Sequence, residues 1–260
     1  MAGTVGGLIV ALLGGFALGR AADTPPPSPS PATAVHTDPA GAPSHGHGGA
    51  AGATGESVVG GAANGLASVA AGYRIVPEAT LLPVGATRPF AFRIHDAAGA
   101  PVTRFVDSHE RKLHLIVVRR DLGGYLHLHP TMAADGRWQV PLRLSAAGPW
   151  HAYADFVAAD AAGKQTPVTL GVGLTAAGAY APAPLPAAAT AAAVDGYRVT
   201  VAGTRQVRSG TIQPIQFRVT RAGVPARLDR YLGAYGHLVV VRASDLGYVH
   251  VHAEVTMAAD

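Results

Sequence analysis

The chain repeats itself. Gly72-Tyr73-Arg74 recurs as Gly196-Tyr197-Arg198, and Gly99-Ala100-Pro101-Val102 as Gly223-Val224-Pro225-Ala226. RPFAFRI at 88–94 returns as QPIQFRV at 213–219. HLIVVRRDLGGYLHLHP, starting at His114, returns as HLVVVRASDLGYVHVHAE, starting at His237. The offset stays between 123 and 125 residues, and both copies continue into TMAAD. Self-similarity at one fixed offset means two copies of one domain, so the fold must close within a single repeat.

Each copy reads as all-β. Short alternating runs at 88–94, 114–118, 125–129, 139–144, 150–156 and 168–174 are separated by turn clusters such as DAAG at 96–99. No helical period runs through either copy. About seven short strands with turn signals every ten or so residues suit a β-sandwich of the immunoglobulin-like kind. The chain has no cysteine, so Trp138 and Trp150 are expected to sit in an ordinary aliphatic core in place of the usual disulfide. The expected architecture is a tandem of immunoglobulin-like β-sandwich domains at 71–175 and 194–260, joined by an Ala/Pro linker at 176–193. The second copy stops at Asp260, the counterpart of Asp135, and is therefore expected to be incomplete.

The N-terminal part cannot belong to either sandwich. Residues 2–19 carry no charge, enough for a signal or transmembrane anchor over 1–20. Residues 21–70 are rich in Pro, then Gly, with too little apolar bulk to fold, and read as a disordered tether carrying His36, His45 and His47. The expected location is the extracytoplasmic side of a membrane, or secretion if the segment is cleaved. A net charge of +4 with no basic cluster argues against nucleic acid as a partner. Absence of cysteine excludes disulfides, zinc ribbons, thiol catalysis and iron–sulfur clusters.

The histidines carry the chemistry. His114 is followed at +13 and +15 by His127 and His129, and His237 at the same spacing by His250 and His252. With a hairpin loop over 119–124, His114 falls opposite His129, Ile116 opposite His127, and Val118 opposite Tyr125. Residues two apart share a strand face. Three imidazoles then project from one side of each hairpin. Leu113, Leu115, Val117, Leu126 and Leu128 point to the core, as do Leu238, Val240, Val249 and Val251 in the second copy. All-nitrogen ligand sets suit copper(II) or zinc. Met132 and Met257 could add a thioether, and His109 and Glu110 a further ligand or an outer carboxylate. The competing reading makes the same histidines structural, ordering the two domains within a cell-envelope interaction module. His151, Tyr153 and Asp155 alternate along one strand and read as a solvated outer face.

Nothing points to an enzyme. The chain lacks a Gly-x-Ser-x-Gly elbow, a phosphate loop and a His-Glu-x-x-His helix. Taken together, the apolar N-terminus, the His/Gly tether and the paired histidine motifs resemble membrane-anchored or secreted tandem-domain proteins of high-GC Gram-positive bacteria. The two domains are similar to YtkA-like and copper-resistance CopC-like β-sandwich modules. The resemblance covers about residues 72–260. It implies an extracytoplasmic β-sandwich protein associated with metal handling. Two departures stand out: no basic residue precedes the apolar segment, and Ala253 stands where relatives keep a proline.

Overall fold

The computed structural model describes residues 65–202 and 215–252, with the backbone alone for His250, Val251 and His252. The apolar segment at 2–19 and the tether histidines lie outside the described residues. Among the described residues no helix is long and apolar enough to cross a membrane.

The first repeat is built from β1 (Val69–Ala70), β2 (Tyr73–Pro77), β3 (Leu81–Pro83), β4 (Arg88–His95), β5 (Phe105–Val106) and β6 (Leu113–Arg119). It continues with β7 (Tyr125–Leu128), β8 (Thr131–Met132), β9 (Arg137–Leu142), β10 (Gly148–Ala159) and β11 (Gln165–Ala177). One sheet runs β1-β2-β4-β9-β8, the other β3-β11-β10-β6-β7, with β5 also pairing β10. β3 leaves its sequence neighbours to pair in parallel with β11, whereas the other pairings between these strands are antiparallel. Two antiparallel sheets in this order, with early strands split between them, form an immunoglobulin-like sandwich. The described residues are all-β, as the alternation predicts.

Alternation sets the core. β10 reads buried at Gly148, Trp150 and Ala152 with half-buried residues between, and its partner β11 buries Val168, Leu170 and Leu174. The core is more aromatic than expected. Trp138 stacks with Phe92 at 6.4 Å between ring centroids and meets the edge of Phe105 at 5.0 Å, while Phe105 also meets Phe156 at 5.4 Å. Trp150 places its indole N–H on the Ala146 carbonyl at 3.0 Å. Aromatic rings fill the space that the absent disulfide leaves to be packed.

The second repeat contributes β12 (Ala191–Val194), β13 (Tyr197–Ala202), β14 (Gln216–Arg221), β15 (Val224–Pro225), β16 (His237–Val241) and β17 (Tyr248–His252). The first four strands form one sheet, and β16 pairs with β17. The inward set expected for this hairpin is not buried as in the first copy: Val240 is 41% exposed and Val249 37%. Counterparts of β9, β10 and β11, which flank or cover the equivalent face in the first repeat, do not occur among the described residues.

The two repeats meet on the outer face of the first sandwich. Ile116, Val118 and Tyr153 form a second buried cluster with Tyr248, flanked by Leu122, Tyr125, Val239 and Val241. Tyr153 stacks on Tyr248 at 4.6 Å with 17° between ring planes, and its hydroxyl donates to the Leu246 carbonyl at 2.7 Å. Tyr153 is therefore not part of a solvated face; it is fully buried. The stretch after β11 is also tied to the first sandwich. Arg119 donates to the Ala147 and Ala181 carbonyls, pairs with Asp121 at 3.0 Å and lies over the Tyr180 ring. Asp121 accepts the backbone N–H groups of Gly123 and Ala183. Desolvation pushes the Asp121 pKa up, but these N–H groups and Arg119 outweigh it and hold the carboxyl below its ordinary range.

Candidate metal centre

The hairpin registers agree with the spacing argument. Ile116 faces His127, Val118 faces Tyr125, and Leu115 faces Leu128. Stepping out one pair puts His114 opposite His129. In the second repeat His237 faces His252, Val239 faces His250 and Val241 faces Tyr248.

His114, His127 and His129 converge. Each offers one ring nitrogen, and these atoms lie within 4.8 Å of one another. Ring centroids are 5.3 Å apart for His114–His127, 5.0 Å for His114–His129 and 4.9 Å for His127–His129. His114 is buried and the other two are half-buried. Its Nε2 lies 3.1 Å from the Ser108 carbonyl, and its Nδ1 lies 3.1 Å from Nε2 of His127. A carbonyl can only accept, so in the neutral ring Nε2 carries the proton and Nδ1 offers its lone pair. A backbone acceptor behind a histidine is the usual device for fixing the tautomer that ligates an ion. His127 then donates from Nε2 to His114 in the metal-free protein. Taking an ion at that nitrogen requires the His127 proton to move to the other ring position.

The spacing suits a small ion. Bonds of about 2.0–2.1 Å in a tetrahedral arrangement put ligand nitrogens about 3.3 Å apart. One pair of nitrogens is already at 3.1 Å. The other separations fall below 4.8 Å, within reach of modest ring rotation.

Several expected helpers are elsewhere. Met132 packs against the sandwich core, so it supplies no thioether here. Glu110 is exposed, and neither it nor His109 belongs to the converging group. His109 and Glu110 occupy a two-residue turn with φ of 50° and 61°, bracketed by the Ser108–Arg111 bridge. Its structural counterpart is Leu232-Gly233, with φ of 51° and 77°, bracketed by Tyr231–Ala234. Asp155 is the carboxylate nearest in register: on β10 it lies directly opposite His114 on β6. It accepts the Thr169 hydroxyl at 3.2 Å. Cross-strand neighbours on one face sit about 5 Å apart at Cβ. The sequence read Asp155 as part of a solvated outer face, whereas it is half-buried and stands in register with His114.

His151 does something different. Its Nε2 donates to the Gly65 carbonyl at 2.9 Å, and its ring lies 4.6 Å from that of Tyr153. Desolvation pulls its pKa below the ordinary histidine value, partly opposed by the Gly65 bond and aided by Arg120. Nearby, burial pushes the Tyr125 phenol up to about 12.

Residues 67–173 and 192–260 match a protein family described as a domain of unknown function, DUF8832. Among solved structures, the chain is similar to the filamin domain of Lin-41 at 14% identity, with 38% of this chain and 89% of that one covered and a TM-score of 0.25. No curated protein matches it.

Proposed function

Because the chain belongs to the DUF8832 family, whose domain has no known function, we propose its role from the site itself. It is a non-enzymatic binding protein that takes copper(II) or zinc through His114, His127 and His129. The observation that carries this is the convergence of three imidazole nitrogens within 4.8 Å, one of them backed by a carbonyl that sets its tautomer. Nitrogen-only ligands favour these ions over calcium or magnesium, which need oxygen. Acting outside the cytoplasm, tethered by its apolar N-terminus, the protein would hold the ion on a rigid hairpin. A partner protein of the cell envelope fits the same placement.

Titration of the full chain with copper(II), followed calorimetrically and by electron paramagnetic resonance, tests this. The parent is expected to bind one ion tightly with a nitrogen-dominated signal. The double variant His127→Ala/His129→Ala is expected to lose that binding. Equal binding in the double variant would remove the hairpin site, leave the tether histidines as the ligands and return the hairpin histidines to a structural role in an interaction module.

A further inference from the structure

The histidine cluster does not end at the first repeat. We propose that one ion is shared between the repeats: His237 completes the site with His114, His127 and His129, and binding clamps the second hairpin onto the first sandwich. This rests on the metal reading above and adds to it the source of the fourth ligand and its consequence for the chain.

Three observations carry it. The His237 ring lies 5.9 Å from His127 and 6.4 Å from His114, little farther than the first three rings lie from each other. His237 is also tied back as His114 is. Its Nε2 lies 3.0 Å from the Tyr231 carbonyl, as Nε2 of His114 lies 3.1 Å from that of Ser108. Each acceptor precedes its histidine by six residues. Both rings therefore carry their proton at Nε2 and present Nδ1 as the ligand atom, and Nδ1 of His237 is buried. Finally, the rings sit at the margin of a dry contact. Ile116, Val118, Tyr153 and Tyr248 are buried beside them. His109 joins from the strained turn, 6.2 Å from the His237 ring.

Four neutral imidazoles complete the coordination of zinc, or the equatorial set of copper(II). A ligand set divided between two repeats ties binding to their closure. An ion that binds only the closed arrangement stabilises that arrangement in proportion to its occupancy. The sequence reading placed two separate ions, one per hairpin. The geometry points to one between them.

The test uses full-length protein, zinc(II) as the probe, calorimetry for affinity and stoichiometry, and amide exchange for closure. The parent should bind one tight ion per chain, and zinc should slow exchange across β16–β17. His237→Ala should weaken binding at least tenfold, the scale that even outer partners of ligands reach. It should also abolish the zinc-dependent protection. His237→Gln keeps a donor for the Tyr231 carbonyl, so a fold maintained there with weakened binding separates ligation from packing. His36, His45 and His47 are present in every variant and cancel in the comparison. Unchanged affinity in both His237 variants, with binding lost in His127→Ala/His129→Ala, overturns the sharing and leaves the first-repeat site. Two equal ions per chain, one of them deleted by His237→Ala, overturns it as well. Binding that survives all these variants overturns the assignment of the ion to the hairpin histidines.

Discussion

Replacing Tyr153 by Phe probes the contact between the repeats on which the proposed shared site depends. The ring is fully buried and stacked on Tyr248, so Phe keeps the stack and removes one oxygen. That oxygen donates to the carbonyl of Leu246, a residue 3% exposed. Burial pushes the pKa of both the Tyr153 and Tyr248 phenols up, consistent with a contact that excludes water. A buried carbonyl stripped of its donor costs about 1–3 kcal/mol. At about 1.4 kcal/mol the equilibrium for lifting the second hairpin rises tenfold. The loss belongs to the contact between repeats, because Tyr153 faces away from the core formed by Phe92, Trp138 and Leu170. Native-state amide exchange on metal-free protein reads this directly. Amides of β16–β17 should exchange about tenfold faster, while those of β4 and β9 keep their parent rates. Tyr153→Ala also removes the stack, worth about 0.5–1.5 kcal/mol beyond area, and should accelerate the same amides further. Unchanged exchange at β16–β17 in both variants would refute the claim that this contact holds the second hairpin.

Two further outcomes test the ionisable groups. His151 is neutral when folded with its pKa pulled down by burial, whereas the unfolded chain takes up a proton near the ordinary value of 6.5. Stability should therefore be independent of this group above that value and fall as pH drops below it. Urea midpoints across that range should fall less steeply for His151→Gln, and identical slopes would remove His151 as a cause. The Arg119–Asp121 pair, with side chains 8% and 6% exposed, should matter more than its counterpart Arg242–Asp245 at 60% and 42%. Asp121→Ala is expected to cost on the order of 2 kcal/mol and to speed proteolysis near Tyr180. Asp245→Ala should cost well under about 1 kcal/mol in the same denaturation assay.

Much of this was legible in the sequence. The near-constant offset of 123 to 125 residues identified the tandem, and alternation with turn clusters identified the sandwich. The hairpin register followed from one assumed loop, because a period of two leaves no freedom once the loop is placed. The outward face was harder. Reading Leu113, Leu115 and Val117 as the core side assigned Ile116 and Val118 to solvent, yet every residue of β6 is buried. The signal was present: Leu115 to Val118 is an unbroken apolar run, and strands buried on both faces lose their alternation. Leu238 to Val241 in the second copy is also an unbroken apolar run, although Val240 there is 41% exposed. What covers such a strand lies more than a hundred residues away and cannot be found from local pattern. For the same reason Arg119 and Asp121 showed no sign of anchoring the stretch around Tyr180.

The duplication explains why the histidines meet at all. Each hairpin has one face that is apolar along most of its length and ends in imidazoles. The apolar part must be covered, and the other copy offers a surface of the same character. His114 and His237 hold the same place in the two repeats, and their rings lie 6.4 Å apart and tilted by 33°. A histidine on that face therefore gains a histidine neighbour from the other repeat without any further change in sequence. Apolar burial brings the faces together and carries the imidazoles to the same margin, where the proposed ligand set draws on both repeats. Substituting Ile116 or Val239 with a charged residue should accordingly weaken zinc binding although neither side chain can ligate an ion.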